Sequence, residues 1–232
     1  MTIIAVGSVH GSPGASTLAL DMARLAGPNS LLIETDPDGG IFAARLLLGL
    51  KPGLTDLAAA ARTGIDPAQI WNFAQPTGHG CGVVVAHPAA EQVQGALRAS
   101  AEHIGSALQT LKNTVILDIG RLRPGSPAIG LTAYADRVVV VAAPTLESVV
   151  SLTNRANLLN GMISVDVVLT GSEPYSAKDV TIATQLRVWG VIGHAKGRRR
   201  EASRDAQIGN LMRDLAEPFE STLATAQATQ SR

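Results

Sequence analysis

Seven short apolar runs, most of them β-branched and apolar at every position, recur along the chain at 2–6, 30–34, 82–86, 114–118, 137–142, 164–169 and 188–192. Strands that face solvent on one side alternate between apolar and polar residues. Runs that do not alternate belong to strands covered on both faces, which is the signature of a parallel sheet. Helix-like stretches at 16–26, 55–62, 67–73, 91–111, 146–159, 177–186 and 203–216 separate them. This alternation predicts right-handed crossovers and an α/β fold: a doubly wound, mostly parallel sheet of about seven strands with helices on both faces. Only 3% of the 232 residues are aromatic, so Ala, Val, Leu and Ile must fill the core. The pattern runs through one domain, 1–223, and ends in a polar tail at 224–232.

Nineteen basic residues balance nineteen acidic ones, so nothing in the overall charge argues for a nucleic-acid partner. Cys81 is the single cysteine, which excludes an internal disulfide framework and fits a reducing compartment. The opening stretch reads as a strand entering a glycine turn and not as a signal peptide. No apolar run approaches the roughly 18 residues of a membrane span. Near the C-terminus, Leu211, Met212, Leu215 and Phe219 fit a core-packing helix without a basic amphipathic face, so no direct membrane anchor is expected. The expected location is the cytoplasm.

In a sheet of this kind the ligand lies beyond the carboxyl ends of the strands. After the first run comes Gly7-Ser-Val-His-Gly-Ser-Pro-Gly-Ala-Ser-Thr17, whose glycines let successive N–H groups converge at a helix start. Three further segments follow in order: Leu31-Leu-Ile-Glu-Thr-Asp-Pro-Asp-Gly-Gly40, Val115-Ile-Leu-Asp118 and Val139-Val-Val-Ala-Ala-Pro-Thr-Leu-Glu-Ser148. Together they resemble the deviant Walker A P-loop family of MinD and ParA, in the SIMIBI class. Pro52-Gly-Leu-Thr-Asp-Leu57 and the 82–88 strand resemble the CpaE/TadZ-type members concerned with septum-site selection and pilus positioning.

Laid on the family pattern Lys-Gly-Gly-x-Gly-Lys-[Ser/Thr]-[Ser/Thr], the residues Gly11, Gly14, Ser16 and Thr17 match, and Ser12 takes the second glycine position. His10 stands where the family has its signature lysine, and Ala15 where it has the lysine that grips the terminal phosphates. The resemblance implies a cofactor site of Gly11, Ser12, Gly14, Ala15, Ser16, Thr17 and Asp118. In it Ser16 and Asp118 would hold Mg²⁺ when a Mg-nucleotide binds, and Asp36 would position water. Glu34 replaces the aspartate two places before Asp36. Each missing cation costs about 10- to 150-fold in phosphate affinity, from roughly 1.5–3 kcal/mol per charged hydrogen bond, and more in rate. The expected cofactor is therefore none, or weakly held Mg-ATP or Mg-ADP, and the substitutions argue against an ATPase. Arg121 and Arg123 are possible substitute cations, set against a solvated loop.

The densest basic cluster is Lys196, Arg198, Arg199, Arg200 and Arg204, a surface for DNA backbone or for an acidic partner. Without interleaved aromatics to stack on bases, any DNA binding should be weak. The resemblance implies a pseudo-ATPase that helps position a division, partitioning or pilus/secretion assembly through a protein partner, with any homodimer forming independently of ATP. Two alternatives stand beside it: a weak ATPase that dimerises with nucleotide, and a DNA-binding partitioning module.

Overall fold

Each of the seven apolar runs is a strand in the computed structural model, which describes residues 2–11, 13–78, 80–161, 164–193 and 198–216, with only the backbone at 160 and 198–200. Ser12, Lys196 and the expected tail lie outside the described residues, as do the side chains of Arg198, Arg199 and Arg200. The strands are β1 (Thr2–Ser8), β2 (Ser30–Glu34), β4 (Gly82–Val84), β5 (Thr114–Arg121), β6 (Arg137–Ala142), β7 (Val165–Leu169) and β8 (Val188–Val191), joined by a two-residue β3 (Gln75–Pro76). Their order is β3-β4-β2-β5-β1-β6-β7-β8. Every pairing is parallel except that of β3 with β4.

Alternate residues of each strand serve opposite faces, which divides the core in two. Ile3, Ala5, Ile33, Leu117 and Val140 pack beneath α3 (Leu54–Arg62), α4 (Ala90–Leu108), α5 (Leu146–Asn160) and α6 (Ala177–Thr184). Ile4, Val6, Leu32, Ile116 and Val139 pack beneath α1 (Ala15–Ala26), the four-residue α2 (Phe42–Arg45) and α7 (Arg198–Ala216). With both faces covered, the strands are apolar at most positions, with buried exceptions such as Glu34 and Asp166.

From β1 the chain moves toward one edge of the sheet, and from β5 it crosses β1 toward the other. The carboxyl ends of these two central strands therefore border the crevice where ligands gather in open α/β sheets. Their register slips there: Val6 lies opposite Asp118, but Gly7 lies opposite Gly120, leaving Ile119 as the extra residue. The bulge carries the ladder on to Ser8–Arg121, so Arg121 belongs to a strand and not to the solvated loop that the Gly/Pro/Arg-rich sequence suggested. α2 and the 3₁₀ helix Pro127–Tyr134 are also absent from the sequence pattern, the first being too short to show a period.

The second motif is fixed by a buried carboxylate. Glu34 ends β2; its Oε1 accepts from the N–H of Ile41 (2.5 Å) and Phe42 (2.9 Å), and its Oε2 from Ala86 N–H (2.7 Å). Burial raises its pKa, and the three N–H donors oppose that rise. Gly40 is obligatory beside it, since a Cβ there would come within 2.3 Å of Ala86 O and 2.7 Å of Glu34 Oε2. Glu34 thus ties the turn after β2 to the end of the β4 run. Removing the acceptor in Glu34→Ala strands three main-chain donors and is expected to lower stability by about 2–4 kcal/mol. Urea unfolding measures this, and a variant as stable as the parent would show that water replaces the carboxylate.

Candidate functional site

The loop between β1 and α1 is shaped by two left-handed glycines, Gly11 (φ 63°) and Gly14 (φ 99°). A Cβ at either would meet nothing within 4 Å, so glycine serves backbone conformation here and not crowding. Gly14 occupies the N-cap of α1 with no side-chain cap, and the first turn holds no acidic residue. The leading N–H groups of α1 therefore receive no capping carboxylate from its own first turn, an arrangement that favours an anion. Ala15 is 8% exposed, so its methyl group is packed away, whereas His10 is exposed.

Beyond the loop lies a cleft of about 400 Å³, lined among others by Gly14, Ser16, Thr17, Asp36 and Gly120. Asp118 sits behind Ser16 and Gly120 with only 1% of its surface exposed. Its Oδ1 accepts weakly from Gly120 N–H (3.3 Å), and its Oδ2 has no hydrogen-bond partner among the described residues. Burial pushes its pKa up to about 7, moderated by the Ser16 hydroxyl and raised further by Asp36. Asp36 is partly buried and its pKa is also raised by burial, with Asp38 N–H donating to its Oδ1 (2.9 Å). It packs directly on Gly120 (φ 61°), where a Cβ would approach its carboxyl to 2.1 Å.

The cations around the cleft have separate duties. Arg121 Nη2 donates to Gly11 O (3.1 Å), reaching across to the loop. Arg45, from α2, donates through Nη1 to Thr17 Oγ1 (3.1 Å) and also lines the cleft. Arg123 is engaged with Asp38 in an ion pair. Sequence reasoning missed Arg45 because four residues of helix carry no periodic signal.

A second cavity of about 860 Å³ adjoins the loop at Pro13, Gly14 and Thr17, with Val141, Val168 and Ile192 among its lining residues. Two ion pairs join α1 to α7 beside it: Arg24 with Asp205, and Arg204 with Asp21 at 3.0 Å. Arg204 also donates to Gly193 O (2.8 Å) and is only 9% exposed. Its guanidinium therefore serves this inner seam and does not join a solvent-facing basic surface. His87 is likewise occupied structurally, its Nδ1 accepting from Ala89 N–H (3.0 Å) at the start of α4.

No protein-family model matches the sequence, and neither does any curated protein. Solved structures do resemble it. A ParA family ATPase from Chlorobium tepidum TLS superposes with a TM-score of 0.70 at 13% identity, over 93% of this chain and 91% of that one. The fold is that of the ParA/MinD ATPases. The ATP complex of McdA(D38A) from Cyanothece gives 0.70 at 16% identity, over 95% of this chain and 98% of that one. The cell division ATPase MinD of Pyrococcus furiosus gives 0.67 at 14% identity, over 90% and 99%.

MinD of Pyrococcus horikoshii, another similar structure, is complexed with Mg-ADP, and the residues here would fit such a group in part. A buried carboxylate with one unpartnered oxygen, beside a hydroxyl, suits a hard divalent cation. Among the described residues no group of three or more His, Cys, Asp or Glu converges to hold a metal alone. Mg²⁺ would thus need phosphate oxygens to complete its shell, with Ser16 and Asp118 on the protein side.

Asp118 also makes stability depend on pH. Its folded pKa of about 7 lies above the ordinary 3.8, so the folded state binds the proton more tightly. The penalty for burying the charge is absent below about pH 4, grows up to about pH 7 and is complete above it. Asp118→Asn should therefore be more stable than the parent by a margin on the order of 1–4 kcal/mol at about pH 8, shrinking toward zero near pH 4. Denaturant unfolding across that range tests it; a margin independent of pH would mean that the carboxyl titrates normally.

Proposed function

We propose that this chain is a non-catalytic or nearly inactive MinD/ParA-like protein, cytoplasmic, that helps to position a division, partitioning or pilus/secretion assembly by contact with a protein partner. The observation that carries this reading is the loop itself. Its helix starts with the buried methyl of Ala15 and its preceding turn presents His10, so the loop contributes no lysine to a phosphate. Transition-state charge on a transferring phosphoryl group is stabilised by cations fixed close to it. A site with Asp36, Asp38 and Asp118 around the cleft and no loop lysine is poorly suited to that chemistry, even with Asp36 at the position that the resemblance gives to water positioning.

The fold supports the general role, since the similar structures include a cell division ATPase and a ParA family ATPase. Among the described residues no helix is long and apolar enough to cross a membrane. A homodimer, where one forms, should assemble without ATP, because no loop lysine is present to reach across to a partner's phosphates. The nucleic-acid reading loses Arg204 to the seam between α1 and α7, and no observation favours it over a protein partner.

Purified protein should hydrolyse Mg-ATP no faster than buffer. Turnover abolished by Asp36→Asn would overturn the non-catalytic reading. In light scattering, the mass of the particle should be the same with and without Mg-ATP; dimers seen only with nucleotide would do equal damage. Restoring one cation with Ala15→Lys should tighten Mg-ATP binding by about one to two decades, from roughly 1.5–3 kcal/mol, while hydrolysis stays poor. Calorimetric titration of both proteins, with circular dichroism to confirm folding, decides the matter.

A further inference from the structure

We infer that the cleft takes a Mg²⁺-complexed polyphosphate whose charge is met by Arg45 and Arg121, two arginines reaching the loop from outside it. The inference rests on the reading that the loop has lost its own cations, and it concerns what replaces them.

Three observations carry it. First, both guanidinium groups are already at the loop: Arg121 on Gly11 O (3.1 Å) and Arg45 on Thr17 Oγ1 (3.1 Å), and both residues line the cleft. They approach from different elements, β5 and α2. Secondly, two buried polar atoms at this place have no hydrogen-bond partner among the described residues, and they are of opposite kind: the acceptor Asp118 Oδ2 and the donor Arg121 Nε. Leaving either unpaired is costly, and more so for a charged group. A metal–phosphate ligand brings one partner of each kind, a cation for the Asp118 carboxylate and anionic oxygens for the Arg121 guanidinium. Thirdly, the acids dictate that the anion carry its metal. Asp38 is paired with Arg123, so Asp36 in the cleft and Asp118 behind it are set against Arg45 and Arg121, and a bare polyphosphate would meet no net positive charge. With Mg²⁺ against Asp118 and Ser16, the balance turns to attraction.

Arg123 serves as the internal contrast. It follows Arg121 by two residues, yet its guanidinium is engaged by Asp38 and it does not line the cleft. An arginine fork also differs from a lysine point charge. It can hold two oxygens at once, but it reaches the loop from neighbouring elements and not along the helix axis. Such a site holds a phosphate chain without the loop-borne charge that follows it through transfer.

The test is titration of the full chain with Mg-ADP and with Mg-pyrophosphate, which carries the phosphates and no base. Wild type should bind both, and chelating the metal should weaken binding at least about tenfold. Arg45→Ala and Arg121→Ala should each weaken it about tenfold, the loss expected for one charged hydrogen bond. Arg123→Ala should stay within about threefold, and Arg121→Lys should recover part of the loss while leaving the fold intact. Arg45 is exposed and its side chain makes one hydrogen bond among the described residues, so its variant tests the site with little risk to folding. No binding at millimolar ligand, unchanged affinity in both alanine variants, or tighter binding without Mg²⁺ would each overturn the inference. Phosphate release followed in the same samples separates it from the non-catalytic reading. Arginine-dependent binding with turnover would sink that reading and leave this inference standing, whereas absent binding would do the reverse.

Discussion

A methyl group on Gly7 would sit 2.8 Å from the carbonyl oxygen of Gly120, closer than any side chain allows. That approach of two central strands, with Ile119 bulged out beside it, sets the geometry of the whole ligand edge. It turns the chain after Asp118, so that the Asp118 carboxyl stays inside while the ladder continues to Arg121. It also leaves Gly120 bare on the side where the Asp36 carboxyl packs. The first motif, the second motif and the β5 motif meet at this point because two residues without side chains permit it.

The electrostatics follow from the same crowding. Acids pressed against a glycine-lined crevice lose water, and burial is the leading reason that the pKa values of Asp36 and Asp118 are raised. Glu34 shows what such a carboxylate becomes when the backbone answers it: it has no exposed surface, yet three N–H groups hold it as a structural pin. Asp118 has only the weak Gly120 N–H and the Ser16 hydroxyl to answer it, and its Oδ2 is left without a partner among the described residues, so beside Glu34 it is the acid with unmet demand.

The fold was legible because burial on both faces removes polar residues from strands, and no other local structure makes seven short runs of that kind. The glycine turn between β1 and α1 was legible because Gly11 and Gly14 take left-handed backbone where a strand gives way to a helix. Other features depended on partners far away in sequence. Arg204 reads as one more cation in a basic cluster, and only its encounter with Asp21, 183 residues earlier, turns it inward. Arg121 and Arg123 look equivalent on paper; the bulge puts one in the strand and Asp38 takes the other. Arg45 gave no signal at all, since its position depends on a four-residue helix pinned by Glu34.

The two ion pairs between α1 and α7 have a mechanical consequence. α1 begins at the glycine loop, and α7 is the last element described, so Arg24–Asp205 and Arg204–Asp21 clamp the first helix to the last one described. Arg24 and Asp205 are about one-third exposed, so their pair holds by only about 1 kcal/mol. Arg204, by contrast, is buried and tied to both Asp21 and Gly193 O, and Ile208, Leu211 and Leu215 seat the lower part of α7 in the core. A load applied at the loop therefore reaches α7 through its upper turns first. The outer ion pair is the weakest link in that path, and the buried arginine and the apolar foot behind it act as the fulcrum.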